Sequence, residues 1–526
     1  MPQIQVRDEE GRPIPDINVR FCEGEIAAPQ ISDGFFDVRV DASGNQTWPI
    51  RWWPTDIPFT FHANAGADGN PKNPLYEEGV AHAPAGHIED VVIVLARAGQ
   101  QPTPSPPTDG PRGIVRTSGR MLLDDRGPRH FLSTTLMWSV FGYRSERDQW
   151  LEDVRWCQSH GMDGIRTLGS VVGPSWAGRQ TDPTWPDYED VLAGQIDTAF
   201  AHGLRQFPFT MLGDHYTDVH RATDRMLNVL RGREDKIGYV EIANEWGHAV
   251  EISQADLMTI ALKVRQALPN TLLALSAPKV GQVDAMKALM KQIGGPLIFP
   301  RHTERKENDR NWRQVRQAYD FNSDPWTGSD QEPPGPASSV GELWKPRQLG
   351  AMRWLAHAAG CGVFVYHTGN GIRGNDDPSH NRQPRLAQIA GVEDQVAALH
   401  MAPRFLPEGV QNWKIENNGR DDKHPLQLPD AIDDGFWEGD KDVEPGDCNK
   451  NYAALGPDGR FLVGLFGLNE GDDRRAGQAL YDLHVDCFDS LTGALVKSVD
   501  LARNQWLTLP GRRDRESSYY IVGQRR

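Results

Sequence analysis

Cysteine is scarce in this chain: Cys22, Cys157, Cys361, Cys448 and Cys487 are scattered through 526 residues. Five widely spaced cysteines, with no CxxC pair and no matching His spacing, argue against a disulfide framework and a structural zinc site. No apolar run approaches the roughly 18 residues that would span a membrane. The opening residues, MPQIQVRDEEGRPIPDINVRF, alternate charged and apolar side chains, so they lack the basic start and apolar centre of a signal peptide. A soluble chain is expected, either cytoplasmic, released by lysis or phage-borne, or secreted with its signal absent from the sequence. Positive charge is in deficit, with 56 Lys and Arg against 72 Asp and Glu, a net charge of −16. That balance argues against a nucleic-acid partner held through its phosphates and favours a neutral, polar substrate. A monomer with no cofactor and no membrane partner is expected.

What is present divides into three textures. Residues 1–98 carry short alternating runs, IQVRD, INVRF, FDVRV and VVIVLA, between turn clusters such as EEGRP and DASGN, the pattern of a small β-sandwich. Residues 99–113, GQQPTPSPPTDGPRG, hold five prolines and no apolar residue, which makes a semi-rigid spacer. Residues 114–401 alternate apolar strands with amphipathic helices. SERDQWLEDVRWCQSHG opens the first helix, with Ser145 and Asp148 at capping-box spacing and Gly161 at its close. Further helices are predicted at DYEDVLAGQIDTAFAHG, SQADLMTIALKVRQAL, QVDAMKALMKQIGG and KPRQLGAMRWLAHAAG. Eight strand candidates run from HFLSTTLMW through GIRTLGSV, RQFPFTML, IGYVEIAN, LLALSAP and PLIFPRH to a weak one near QAYDFNSD and a last one at GVFVYHT. Eight units over roughly 270 to 290 residues have the size of a TIM barrel. A doubly wound sheet would want a Gly-rich phosphate turn after the first strand, and LMWSVFGYR has none. Residues 402–526 return to all-β alternation, predicted as a second β-sandwich.

In a TIM barrel the reacting residues sit at the carboxyl ends of the strands, where the βα loops converge. The candidates are therefore Trp138 after strand one, Arg166 in strand two, Asp214 and His215 after strand three, and Asn244, Glu245 and Trp246 after strand four. His302 and Glu304 follow strand six, Glu332 belongs to the seventh loop, and Tyr366 and His367 follow strand eight. Glycoside hydrolysis needs two carboxyl groups across one bond. Glu245 and Glu332 are 87 residues apart, which at roughly 30 residues per unit is three units, from strand four to strand seven. Glu304 lies only about two units on from Glu245 and is the weaker partner.

The Asn244-Glu245 pair ending a fourth strand, Arg166 in GIRTL and Glu332 in DQEPPGPASS resemble the clan A retaining glycoside hydrolases, which are (β/α)8 barrels. The opening GRMLLDDRGPRHFLSTTLMWS resembles the hairpin that precedes their first barrel strand, and residues 1–98 resemble a carboxypeptidase regulatory-like module. The resemblance implies Glu245 as general acid/base and Glu332 as nucleophile, 5 to 5.5 Å apart or about that. It also implies that Asn244 bonds the sugar 2-hydroxyl and that Arg166 lies beneath the nucleophile. Burial beside Trp246 would keep the acid protonated, and a nearby arginine would keep the nucleophile ionised. Two positions depart from the family pattern. His302-Thr303-Glu304 stands where many members have His-x-Tyr, and His367 stands where many have a tryptophan.

Each candidate has a plainer reading. Asn-Glu after a strand also fits a helix N-cap with a first-turn acid, Glu332 fits a solvated loop acid, and Arg166 fits an internal ion pair. Asp214, His215 and His220 in DHYTDVH invite a metal-dependent barrel hydrolase, although no His-x-His ends the first strand. Trp138, Trp176, Trp185, Trp246 and Trp326 are candidate sugar platforms or core residues. Trp48, Trp52 and Trp53 are a candidate platform in the first module. A non-catalytic carbohydrate-binding protein, or a virion or surface component on a lapsed barrel, is the alternative from another class.

Overall fold

In the computed structural model the described residues are 3–8, 14, 17–23, 36–39, 45–47, 59–63, 79–83, 91–95, 113–173, 176, 178–247, 250–275, 283–298, 345–358, 360–369, 371, 385–416, 424–428, 451–468, 471–511 and 517–526. The chain divides into two compact units, Met1–Ser105 and Pro106–Arg526.

The first unit contains β1 (Gln3–Asp8), β2 (Asn18–Glu23), β3 (Phe36–Arg39), β4 (Asn45–Thr47), β5 (Phe59–Ala63), β6 (Gly79–Ala83) and β7 (Val91–Leu95). They form a three-stranded sheet, β4-β1-β7, and a four-stranded antiparallel sheet, β3-β2-β5-β6. β1 runs parallel to β7 and antiparallel to β4. Alternate residues such as Ile4, Val6, Val19, Phe61, Ala63 and Ile93 are buried, as the period-two pattern requires.

The second unit opens with a small antiparallel sheet, β8 (Arg116–Ser118), β9 (Met121–Asp124) and β10 (Gly127–Arg129). The β/α alternation follows: β11 (Phe131–Thr135), α1 (Ser139–Ser145), α2 (Arg147–Ser159), β12 (Gly164–Leu168), α3 (Tyr188–Ala201), β13 (Arg205–Leu212), α4 (Val219–Leu230), β14 (Val240–Ala243), α5 (Gln254–Ala267), β15 (Leu273–Ala274), α6 (Val283–Ile293), α7 (Pro346–Ala358), β16 (Val363–Tyr366) and α8 (Val392–Met401). The sheet order is β15-β14-β13-β12-β11-β16, parallel throughout, and Leu273 bridges to Leu297 to extend it. β16, the last of these strands, pairs beside β11, the first, as strands eight and one of a β/α barrel do.

Helix ends follow local chemistry. Gly161 takes φ 63° and closes α2 as a Schellman motif, with Gly161 N–H on Gln158 O and Met162 N–H on Cys157 O. The capping box expected at Ser145 does not form, because α1 runs through Ser145 and Glu146 caps α2 with no side-chain bond. α4 is a helix that the sequence reading passes over.

The interior is layered. Phe131, Phe207, Tyr239, Leu272, Ile298 and Val363 meet Leu122 of the opening sheet and Val115 just before it, forming an apolar floor at the amino-terminal end. Arg205 ties that sheet to the barrel, donating to Asp124 Oδ2 at 2.9 Å and to Gly113 O at 2.7 Å. Burial alone would raise the Asp124 pKa, but hydrogen bonds from Arg126 and Arg205 bring it down to about 2.

Beyond the barrel lie β17 (Lys414–Glu416), β18 (Leu426–Gln427), β19 (Asn451–Leu455), β20 (Arg460–Phe466), β21 (Gly471–Ala479), β22 (Leu483–Asp489), β23 (Leu495–Leu501), β24 (Trp506–Gly511) and β25 (Ser518–Arg525). They form antiparallel sheets β17-β19-β20-β25-β22-β23 and β18-β21-β24 that share one core. Along β20, Phe461, Val463 and Leu465 enter that core, while Leu462 and Phe466 turn to the barrel helices. Gly464 is needed there, since a Cβ would lie 2.6 Å from Cζ3 of Trp354 on α7. No helix among the described residues is long and apolar enough to cross a membrane.

Candidate active site

Above the apolar floor the barrel interior turns polar. Thr135, Arg166, Thr210, Glu241 and His367 are buried at or near the carboxyl ends of β11, β12, β13, β14 and β16. Period-two alternation explains β12 and β14: Ile165, Val240 and Ile242 join the outer barrel core, which turns Arg166 and Glu241 inward. Arg166 and Glu241 approach to 3.5 Å with both side chains fully buried. Thr210 donates to Glu241 Oε2 at 2.5 Å. The internal pairing open to Arg166 in the sequence is therefore present, and Glu241, which that reading passes over, is the residue that makes it. Glu241 was legible only as one more alternating position of a strand.

Arg166 also reaches upward, donating from Nη2 to Asn244 Oδ1 at 2.9 Å. Asn244 Nδ2 faces Asp214 Oδ1 at 3.5 Å, and Trp176 Nε1 donates to Asp214 Oδ2 at 3.1 Å. The guanidinium has no acceptor and the carboxylate no donor, so the orientation of the carboxamide between them is dictated by chemistry. Asn244 is held against β13 by its backbone N–H, which donates to Leu212 O at 2.8 Å. It is not a helix cap. α5 starts ten residues later, capped by Ser253, whose side chain accepts from Asp256 N–H.

Glu245 comes next, half-buried, with φ 46°. His215, exposed after β13, has φ 60°. Left-handed torsions at non-glycine residues cost free energy and persist where surrounding structure enforces them, often at functional sites. Two of the three such residues among those described, His215 and Glu245, follow adjacent strands at this one end of the barrel.

The remaining candidates separate by environment. Trp246 is half-buried and donates to Ile252 O at 3.1 Å, and Trp185 is half-buried with the Arg144 guanidinium 4.3 Å from its ring centre. Trp138 is fully buried, with Arg179 4.3 Å over its ring and Arg179 in turn bonded to Glu146 at 2.6 Å. That enclosure makes the Trp138 ring part of the barrel core. Tyr366 is likewise fully buried, and its hydroxyl bonds Gln395 on α8, on the helix side of the sheet. His367 is buried beside it, with Nδ1 2.7 Å from Thr135 Oγ1. His220 pairs with Asp256 at 3.0 Å. Among the described residues no group of three or more His, Cys, Asp or Glu is placed to hold a metal ion. Glu332, His302, Glu304 and Trp326 lie outside the described residues, as do Trp48, Trp52 and Trp53.

No protein-family model and no curated protein matches the sequence. Among solved structures, one described as a glycoside hydrolase aligns at TM-score 0.53 and 12% identity, covering 78% of this chain and 97% of that one. A glycoside hydrolase family 5 protein from Bacteroides vulgatus aligns at the same TM-score and identity, covering 78% of this chain and 93% of that one. At this identity the similarity is one of fold: a β/α barrel with antiparallel sheets beside it.

Proposed function

We propose that the chain is a retaining glycoside hydrolase acting on an oligo- or polysaccharide. The observation that carries this reading is Asn244-Glu245 at the carboxyl end of the fourth barrel strand, with Asn244 held between Arg166 and Asp214 and Glu245 in left-handed backbone. The fold shared with glycoside hydrolases supports it.

In the proposed reaction a Glu332 carboxylate oxygen bonds to the anomeric carbon as the glycosidic bond breaks, and the Glu245 carboxyl gives its proton to the departing oxygen. Glu245 then takes a proton from water as that water's oxygen displaces Glu332 from the sugar. Asn244, with one amide hydrogen turned to Asp214, keeps the other for the hydroxyl beside the reacting carbon. Trp246, His215 and His302 would shape the pocket. His367 would contribute through Thr135, and residues 1–98 and 402–526 would be β-sandwich modules of a monomer, with 99–113 as spacer.

A panel of aryl glycosides and polysaccharides, assayed with wild type, Glu245→Ala and Glu332→Gln, tests the reading. Wild type is expected to cleave at least one substrate, Glu332→Gln to abolish turnover with the fold intact, and Glu245→Ala to lose about 100-fold or more. Wild-type rates in either variant would overturn its assigned role.

A further inference from the structure

We infer that Glu241 is a positioning residue for this site, fixing the carboxamide of Asn244 through Arg166; the inference rests on the glycosidase reading above. The geometry is a relay across three strands. Thr210 on β13 donates to Glu241 Oε2 at 2.5 Å, the same oxygen lies 3.5 Å from Arg166 Nη2, and that nitrogen donates to Asn244 Oδ1 at 2.9 Å.

A buried ion pair is a poor way to stabilise a barrel interior, because desolvating both charges offsets their attraction and an apolar pair would pack as well. The pair makes sense if Arg166 is needed at the mouth and requires a buried counter-charge to stay oriented there. Glu241 is three residues before Asn244, yet it acts on it through the neighbouring strands and not along the chain. Because the guanidinium only donates, Asn244 must turn its oxygen down to Arg166 and its nitrogen toward Asp214 and the mouth. Glu241 thereby sets which atom of Asn244 a ligand meets: an N–H that selects an acceptor oxygen on the carbon next to the one attacked. With Glu241 neutralised, Arg166 loses its anchor and the amide loses its preferred orientation.

The test compares kcat/KM for the aryl glycoside that wild type cleaves fastest with its 2-deoxy analogue, in wild type, Glu241→Gln, Asn244→Ala and the double variant. Circular dichroism monitors folding. Glu241→Gln is expected to lose about tenfold or more on the parent substrate and no more than about twofold on the 2-deoxy substrate, with the double variant no worse than Asn244→Ala. Equal losses on both substrates in a folded variant, or no loss, would overturn the positioning role while leaving the glycosidase reading standing. If Glu241→Gln does not fold, Thr210→Val, of nearly the same shape, carries the same comparison, with a larger loss on the parent substrate expected. Wild type inactive on every glycoside would defeat the functional reading and this inference with it.

Discussion

Asp153 on α2 shows how a single buried carboxyl can shape stability away from the barrel mouth. Its side chain is 1% exposed, Oδ1 accepts the Leu386 N–H at 2.9 Å, and Oδ2 has no partner among the described residues. Burial raises its pKa to about 7, against the opposing effects of the Leu386 N–H and Arg179. A raised folded-state value means that this carboxyl's favourable contribution is complete below the ordinary carboxylate range and is lost as pH rises through about 7. Asp153→Asn keeps the acceptor for Leu386 and removes the charge. It is expected to raise stability at pH 8 by a few kcal/mol, with little change near pH 4, as read from urea midpoints at the two pH values. Equal effects at both would contradict this. The sequence shows Asp153 as one charged position of an amphipathic helix; its partner is 233 residues away, a separation no periodicity reveals. Asn244 and Glu245 were legible because a strand end, a reactive residue type and a barrel rule coincide there.

Among elements, the contact of α7 and α8 with the start of β11 gathers imidazoles, with His357 buried and His130 and His400 half-buried. Arg353 Nε donates to His357 Nε2 at 3.2 Å, and its other nitrogens donate to Leu399 O and His130 O at 2.8 and 2.9 Å. His400 Nε2 lies 2.7 Å from His160 O. Burial, with Arg353 adding to it, lowers His130 and His400 to about 4, while burial, His130 and Arg353 hold His357 well below the usual range. These rings fold neutral, so their contribution is present above the unfolded histidine value and is lost as pH falls from about 6.5 toward 4. The urea midpoint is expected to drop across that window, and His400→Gln to make the drop shallower; an unaltered slope would contradict the assignment. α3, α5, α6 and α7 match their sequence patterns to within a residue or two, while α4 was passed over although Val219, Ala222, Met226 and Val229 bury one of its faces. The cap at Ser145 was not legible, because the preceding α1 claims that residue, and local spacing cannot say which of two abutting helices will own it.

For the second unit as a whole, Trp354 on α7 joins the barrel to the six-stranded sheet. Its ring stacks on Tyr520 with centroids 5.0 Å apart and meets Tyr452 and Phe466 edge-on. Arg347 adds bonds to Asp489 at 3.0 Å and Ser518 at 3.2 Å. Trp354→Ala is expected to cost about 3 to 5 kcal/mol, through lost burial and the cavity left behind. Barrel and sheets should still melt together, seen as one midpoint in far-ultraviolet and near-ultraviolet circular dichroism; two separated midpoints would contradict a shared core. Strands one to five and eight of the barrel were legible because each carries its own apolar run; the seventh, expected near QAYDFNSD, lies outside the described residues. The docking of the later sheets was not legible, since the outward face of β20 reads like any apolar face until Trp354 is seen against Gly464.

The most direct test of Glu245 as acid/base is the turnover of an activated aryl glycoside by Glu245→Ala with and without sodium azide. The expected result is slow hydrolysis by the variant, accelerated by azide, with a glycosyl azide of the substrate's own anomeric configuration as product. A Glu245→Ala variant that hydrolyses at the wild-type rate, or an azide product of inverted configuration, would contradict it.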